Sequence, residues 1–117
     1  MKVVVVDDDP AIATLMCLWI GYEFTAEAVT TTTTADLFRP DWWYDVDVAV
    51  IDIQLRMGID GLDVARFLLQ WVPSVRRVIY TAAADPGIIE LAVDLADALV
   101  IKGEPLDALK AAIHGHG

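Results

Sequence analysis

The stretch "VVVVDDDPAI", residues 3–12, ends a run of four valines with three aspartates and a proline. A continuous β-branched run is typical of a strand that is buried on both faces of a parallel sheet. Pro10 suits the first turn of a helix, where its missing N–H leaves no bond unmade, and Asp9 suits the N-cap before it. The stretch therefore predicts a buried strand, a polar turn and a helix.

The same alternation of apolar runs and amphipathic stretches continues along the chain. The predicted strands are residues 3–6, 24–29, 47–53, 77–80 and 98–101. The predicted helices run from Pro10 to a stop at Gly21, over 35–38, 62–72 and 88–93, and onward from Pro105. This alternation specifies an α/β fold, a doubly wound parallel sheet with helices on both faces. We expect the flavodoxin-like (βα)5 strand order 2-1-3-4-5, because it puts the all-valine strand in the centre.

Length and composition narrow the class of protein. The chain has 117 residues, enough for one domain, 1–117, with a single core. Its net charge of −10 argues against direct nucleic-acid binding, which needs clustered Lys and Arg. No apolar run approaches the ~20 residues that cross a membrane. Cys17 is the only cysteine, which excludes an internal disulfide, and we expect a cytoplasmic protein.

Helical spacing predicts which side chains face the core. In the first helix an apolar stripe recurs at Ile12, Leu15, Met16, Trp19 and Ile20. Trp71 lies in a similar stripe and is expected at or near the core. The run "DWWYD", residues 41–45, is expected to pack under the short second helix, with an exposed partner patch as the alternative.

Polar side chains follow four of the predicted strands. Asp7–Asp9 follow the first strand, Asp52 lies at the end of the third, Thr81 follows the fourth and Lys102 follows the fifth. Open α/β sheets bind ligands beyond the carboxyl ends of their strands, at the switch in strand order. Strands one and three are neighbours at that switch, so their carboxylates should converge. A single strand-end aspartate is usually a helix cap, and the combination of these residues is what predicts a site.

Converging carboxylates repel one another unless a cation lies between them. Oxygen ligands with no His or Cys nearby favour Mg²⁺ or a similar ion. The metal and Lys102 would neutralise phosphoryl oxygens, one carboxylate could act as nucleophile, and Thr81 could donate a hydrogen bond to a phosphoryl oxygen. The residues therefore predict phosphoryl chemistry.

Four segments together resemble the receiver domain of two-component response regulators, over essentially the whole chain. They are "VVVVDDDP" (3–10), "VAVIDIQLRMGIDGLDVAR" (48–66), "VIYTAA" (78–83) and "LVIKGEP" (99–105). The resemblance implies that Asp8 holds Mg²⁺ directly, that Asp7 holds it through water, and that Asp52 and the backbone carbonyl of Gln54 complete the protein ligands.

The resemblance also implies the chemistry and the partners. Asp52 would accept a phosphoryl group from the phosphohistidine of a sensor histidine kinase or a phosphotransfer protein. Thr81 would be the switch hydroxyl, and Lys102 would pair with the phosphoryl group. Such a domain phosphorylates and dephosphorylates itself but is not otherwise an enzyme. The downstream target is unknown, and the fourth helix, fifth strand and fifth helix are the usual output face, where a homodimer is possible.

Two departures from the family leave alternatives open. Leu99 replaces the aromatic residue usual three positions before the lysine, and Gly103 and Glu104 separate Lys102 from Pro105, where the family has a direct and often cis Lys-Pro bond. A cis bond after Lys102 is improbable, since non-proline cis forms cost ~3 kcal/mol. These departures favour, as one alternative, a receiver-like interaction module that no longer switches.

A second alternative is a small phosphatase of the haloacid dehalogenase type. "VVVVDDDPA" also fits a strand that ends in Asp-x-Asp, with Asp7 as nucleophile and Asp9 as acid/base. The short chain, without a cap domain, and the unexplained Asp52 argue against this assignment. The site of phosphorylation, Asp7 or Asp52, discriminates between the two readings.

Overall fold

The computed structural model describes residues 1–31, 34–55, 59–82 and 85–115. The strands are β1 (Lys2–Val6), β2 (Glu27–Thr30), β3 (Val48–Ile51), β4 (Arg76–Thr81) and β5 (Ala98–Ile101). The helices are α1 (Pro10–Phe24), α2 (Thr34–Leu37), α3 (Gly61–Trp71), α4 (Pro86–Leu95) and α5 (Leu106–His114), with a 3-10 helix at Pro40–Trp43. Every strand of the predicted alternation is present, and the 3-10 helix is an addition to it.

The sheet is parallel throughout, with the strand order β2-β1-β3-β4-β5. This confirms the predicted fold and order. The interior strand β1 pairs with β2 on one side and with β3 on the other, where Val6 lies opposite Ile51. Because these two residues are the last of their strands, the sheet itself sets Asp7 and Asp52 side by side at one edge.

Helices cover both faces of the sheet and divide the core into two layers. One layer packs β-strand side chains such as Val4, Ile51 and Ile79 against α3 and α4. The other packs Val3, Val5 and Val78 against α1 and α5. Alternate residues of one strand pack into opposite layers, which explains why Val3–Val6 of β1 are all apolar.

Two predicted boundaries differ from the structure by three residues, more than the others do. Helix α1 continues through Gly21 to Phe24 and ends at Thr25, which adopts a left-handed conformation with φ 49°. The Phe24 ring contacts the rings of Trp19 and His114, and this packing outweighs the poor helix propensity of Gly21. Strand β2 consequently starts at Glu27, three residues later than the predicted start.

Three predicted core residues are exposed. The side chains of Ile12, Leu15 and Trp71 are 39%, 64% and 61% exposed, whereas Ile20 from the same stripe as the first two is buried. Helix α1 is apolar on nearly all sides, so spacing alone could not distinguish its inner face from its outer one. The prediction for "DWWYD" holds for Trp43, which is buried and donates its indole N–H to the carbonyl of Leu37 at the end of α2.

Two helices that border the site begin at an aspartate that caps the helix, and the cap at Asp9 was predicted. The Asp9 carboxylate accepts hydrogen bonds from the backbone N–H groups of Ala11 and Ile12 and so caps α1, as predicted. Asp60 caps α3 in a reciprocal capping box with Asp63. Among the described helices, none combines the length and apolar character needed to cross a membrane.

Candidate functional site

Three carboxylates meet at the carboxyl edge of β1 and β3. Asp7 and Asp52 are 7% and 8% exposed, and Asp8 beside them is partly exposed. One oxygen from each of Asp7, Asp8 and Asp52 lies within 4.8 Å of the other two. The structure therefore brings together the acidic residues that the strand-end pattern predicted to converge.

Backbone donors orient two of these carboxylates. Asp7 Oδ1 accepts the N–H of Asp9 at 2.9 Å, and Asp52 Oδ1 accepts the N–H of Gln54 at 3.0 Å. The backbone of Asp52 is itself tied to β1, because its N–H donates to the carbonyl of Val6 at 2.9 Å. These short-range bonds hold each carboxylate in place at the end of its strand.

A hydroxyl and an ammonium complete the site around Asp52. Thr81 is fully buried, and its hydroxyl donates to Asp52 Oδ1 at 3.1 Å. Lys102 Nζ donates to Asp52 Oδ2 at 2.8 Å and to Asp7 Oδ2 at 3.3 Å. The Asp52 carboxylate, which follows β3, thus bonds to Thr81, the last residue of β4, and to Lys102, which follows β5. Asp7, which follows β1, bonds to the same Lys102.

Opposing effects act on the charge of Lys102. Partial burial acts to lower its pKa, but hydrogen bonding to Asp52, the attraction of the Asp52 charge and the weaker influence of Asp7 outweigh burial and raise the pKa above its ordinary value. Lys102 is therefore a permanent cation at neutral pH. The three carboxylates still exceed this one ammonium by two negative charges.

The chemistry of the donor set suits a hard divalent cation. Asp7, Asp8 and Asp52 offer only oxygen atoms, and their mutual distances allow a single ion to touch all three. Oxygen-only sets of this kind are the sites of Mg²⁺, Ca²⁺ or Mn²⁺, and no soft ligand is present in the cluster. A divalent ion would balance the two excess charges, so the residues fit the metal that the sequence predicted.

A broad pocket of about 840 Å³ opens over this cluster. Gln54 is exposed at its rim, and the backbone at Gln54 lies beside the Asp52 carboxylate. Ile12 of α1 and Ile88 of α4 form apolar walls on either side of the acidic floor. The floor is thus open to solvent and large enough for a phosphoryl group and the group that carries it.

Gly61, the first residue of α3, packs closely against the backbone of Asp52 and Ile53. Its N–H donates to the carbonyl of Ile53 at 2.9 Å. A Cβ at this position would lie 2.7 Å from the Asp52 carbonyl carbon and 2.8 Å from Ile53 Cα, and closer still to the Asp52 carbonyl oxygen. Glycine is therefore required by the close approach of two backbone segments.

Both predicted switch residues lie on the α3–α4 side of the sheet, but they differ in their relation to the site. Thr81 belongs to the site, whereas Leu99 is partly buried against the α3–α4 layer and makes no part of the pocket lining. Among the described residues no peptide bond is cis, and Gly103 turns the chain after Lys102 with φ +104°. The chain thus reaches Pro105 through Gly103 and Glu104.

Two residues at the site were not foreseen from the sequence. In the sequence Gly61 looks like an ordinary loop glycine, and only the fold shows which backbone atoms it contacts. Tyr80 precedes Thr81 on β4, and Lys102 Nζ lies over its ring at 5.7 Å from the centroid. Since Tyr80 is on β4 and Lys102 directly follows the adjacent strand β5, the register of the two strands was needed to reveal that contact.

Comparison with known proteins agrees with this geometry. A family model described as "Response regulator receiver domain" matches residues 3–114. No curated protein sequence matches significantly. A DNA-binding response regulator of the LuxR family from Staphylococcus aureus has a TM-score of 0.85 and 23% identity, covering 99% of this chain and 98% of its own.

Two further solved structures are similar in fold. Response regulator TrrA from Thermotoga maritima, solved in complex with Mg(2+)-BeF, has a TM-score of 0.83 and 25% identity, covering 99% of this chain and 98% of its own. The BeF3-activated DrrB receiver domain has a TM-score of 0.80 and 22% identity, covering 97% and 93%.

Proposed function

We propose that this chain, which belongs to the family of response regulator receiver domains, takes a phosphoryl group onto the carboxylate of Asp52 with Mg²⁺ bound beside it. The observation that carries the proposal is the convergence on Asp52. Its two oxygens are met by the Thr81 hydroxyl and the Lys102 ammonium while it lies within ion-sharing distance of Asp7 and Asp8.

The proposed reaction uses Asp52 as the nucleophile. A carboxylate oxygen attacks the phosphorus of a phosphohistidine and the P–N bond breaks. Its electron pair stays with the imidazole nitrogen, which takes up a proton, and the product is an acyl phosphate on Asp52. Attack of water on the same phosphorus would later release inorganic phosphate and restore the carboxylate. We assign the chain these two self-directed reactions and no others.

The other site residues would hold the metal ion or bind the oxygens of the transferred phosphoryl group. Mg²⁺ would be held by Asp8, Asp52 and the backbone carbonyl of Gln54, with Asp7 acting through water, and when bound it would supply positive charge against the phosphoryl oxygens. Lys102 would move its hydrogen bond from Asp52 to a phosphoryl oxygen. The Thr81 hydroxyl would likewise move its hydrogen bond from Asp52 to a phosphoryl oxygen, and this would couple the modification to β4.

The proposed partner is a sensor histidine kinase or a phosphotransfer protein. Ile12 lines the pocket, and Leu15 and Leu18 continue from it along α1, 64% and 67% exposed. An apolar strip beside an acidic, phosphate-accepting pocket suits a helix that carries the phosphohistidine. The half-buried Cys17, alone in the chain, is compatible with the reducing cytoplasm in which we place this exchange.

We propose that the α4–β5–α5 face binds the downstream target and transmits the phosphorylation signal to it. Leu91 and Val93 of α4 are exposed there, 53% and 58%. A second copy of the chain could pair at this face. Leu99 replaces the usual aromatic residue in it, and for this reason we retain as the second candidate a receiver-like module that binds partners without switching.

The phosphatase alternative is not favoured by the geometry. Its acid/base would be Asp9, but the Asp9 carboxylate faces the first turn of α1 and accepts the N–H groups of Ala11 and Ile12. Asp52 would have no role in that reaction, although it lies at the centre of the cluster.

One experiment tests the proposed function. Beryllofluoride and Mg²⁺ are added together to the ¹⁵N-labelled protein, and shifts are mapped by NMR. We expect the amides of Asp52, Thr81 and Lys102 to shift first, with further shifts in α4 and β5 if the domain switches. Shifts confined to the pocket would favour the non-switching module. No shift at Asp52 would overturn the assignment, and borohydride trapping that labels Asp7 would favour the phosphatase.

Mg²⁺ should raise the melting temperature. The folded protein holds three carboxylates together and the unfolded chain does not, so the ion binds the folded state preferentially. At a concentration 100-fold above its Kd, we expect stabilisation by about 2.7 kcal/mol. Thermal unfolding with increasing MgCl2 at constant ionic strength measures it. Asp8→Asn should reduce the effect and the surface change Asp94→Asn should not; equal responses would contradict an ion at this cluster.

A further inference from the structure

The Lys102 ammonium, which bonds to two carboxylates of the site, also lies over the ring of Tyr80. Tyr80 is the residue before Thr81, and the alternation of β4 directs its side chain to the α1–α5 layer. There it is partly buried and lines an apolar groove of about 220 Å³ between α1 and α5. Lys102 Nζ is over the ring, 5.7 Å from its centroid. The ammonium therefore contacts an aromatic face in addition to Asp52 and Asp7.

We propose that Tyr80 is a positioning residue, whose ring holds the Lys102 ammonium over Asp52, ready for the arriving phosphoryl group. The proposal rests on the proposed function, in which Lys102 neutralises that group. A lysine has a long flexible side chain, and its ordering is opposed by rotamer entropy. The face of an aromatic ring attracts an ammonium at this distance and limits the directions in which it can move.

The need for such a contact follows from the local backbone. Lys102 directly follows β5 and is held to β4 through its N–H, which donates to the carbonyl of Thr81 at 2.9 Å. Gly103 follows with φ +104°, and among the described residues, its two chain neighbours aside, none lies within 4 Å of the position of its absent Cβ. Gly103 itself has no side chain that could hold Lys102. With a phosphoryl group on Asp52 the ammonium must leave Oδ2, and the ring keeps it from turning to solvent.

A purely packing role for Tyr80 makes different predictions. Leucine fills an apolar groove such as the one lined by Trp19 and Leu109, and it suits a β-strand nearly as well, but it has no π face. Phenylalanine keeps the face and loses only the hydroxyl. Tyr80→Leu and Tyr80→Phe therefore separate the ring's effect on Lys102 from its contribution to packing.

The test measures the rate of phosphorylation by acetyl phosphate with saturating Mg²⁺ for the wild type and four variants. The variants are Tyr80→Leu, Tyr80→Phe, Lys102→Ala and the double variant Lys102→Ala with Tyr80→Leu. We expect Tyr80→Leu to be about 3-fold to 10-fold slower and Tyr80→Phe to remain within about 2-fold of the wild type. In a Lys102→Ala background, Tyr80→Leu should have no further effect, because the ring would have no ammonium to hold. The Kd for Mg²⁺ should not change with Tyr80→Leu.

An NMR measurement tests the contact without any phosphorylation. The ring current of Tyr80 should shift the Lys102 Cε protons upfield in the wild type and in Tyr80→Phe, and the shift should vanish in Tyr80→Leu. The proposal is overturned if that shift is absent from the wild type, if Tyr80→Leu reacts at the wild-type rate, or if it slows the Lys102→Ala protein equally. If the wild type accepts no phosphoryl group, the proposed function fails, and the Cε shift alone decides on the contact.

Discussion

Replacing Asp52 with asparagine should abolish phosphorylation by acetyl phosphate. The amide is nearly the same size as the carboxylate but is not a nucleophile, so the rate should fall at least about 100-fold. Beryllofluoride should lose its attachment point, and the affinity for Mg²⁺ should fall because one of the three clustered carboxylates has become neutral. Phosphoprotein electrophoresis measures the rate, and titration calorimetry measures metal binding.

Asp94→Asn is the matched control for this variant. It makes the same change of charge on an exposed residue of α4, outside the pocket. Its rate and its Mg²⁺ affinity should stay near the wild-type values. Retention of phosphorylation in Asp52→Asn would place the acceptor elsewhere, and peptide mapping after borohydride reduction would identify it.

Replacing Gly61 with alanine should destabilise the fold and disturb the site together. The new Cβ would lie 2.7 Å or less from backbone atoms of Asp52, and no side-chain rotation can relieve a clash between two backbones. Helix α3 or the Asp52 loop must move, so we expect the free energy of unfolding to fall by at least about 3 kcal/mol. Urea unfolding followed by circular dichroism measures the loss.

Gly21→Ala provides the comparison, because it is the same substitution in a helix with room for a methyl group. Its nearest neighbour would be the carbonyl oxygen of Ala26 at 3.6 Å, an ordinary contact. This variant should be more stable than the wild type by about 0.5–1 kcal/mol, since alanine costs less chain entropy in a helix. Equal stabilities for Gly61→Ala and Gly21→Ala would show that the approach of α3 to Asp52 is not constrained.

The centre of the fold could be predicted because its residues leave few choices. A run such as Val3–Val6 is typical of a strand that is buried on both faces of a parallel sheet, and five alternating strands and helices allow few strand orders. The carboxyl ends of parallel strands meet at one edge. The convergence of Asp7, Asp52, Thr81 and Lys102 therefore follows from the topology once the strands are placed.

What could not be predicted depended on contacts between distant segments. Helix α1 passes Gly21 because Phe24 packs against His114 of α5, and a local pattern contains no information on that contact. The same helix is so uniformly apolar that its exposed side, with Leu15, looks like its buried side. The roles of Tyr80 and Gly61 rest on close approaches across strands and loops, and sequence spacing does not encode them.

The complete burial of β1 has a dynamic consequence for the carboxylates at its end. All four valines are at most 1% exposed, and the strand is hydrogen-bonded on both sides. Amide protons in such a strand exchange with solvent only when the whole domain opens, so β1 belongs to the last segment to lose its structure. A ligand can thus bind to the acidic floor and leave it while the strand that carries Asp7 and Asp8 at its end stays closed.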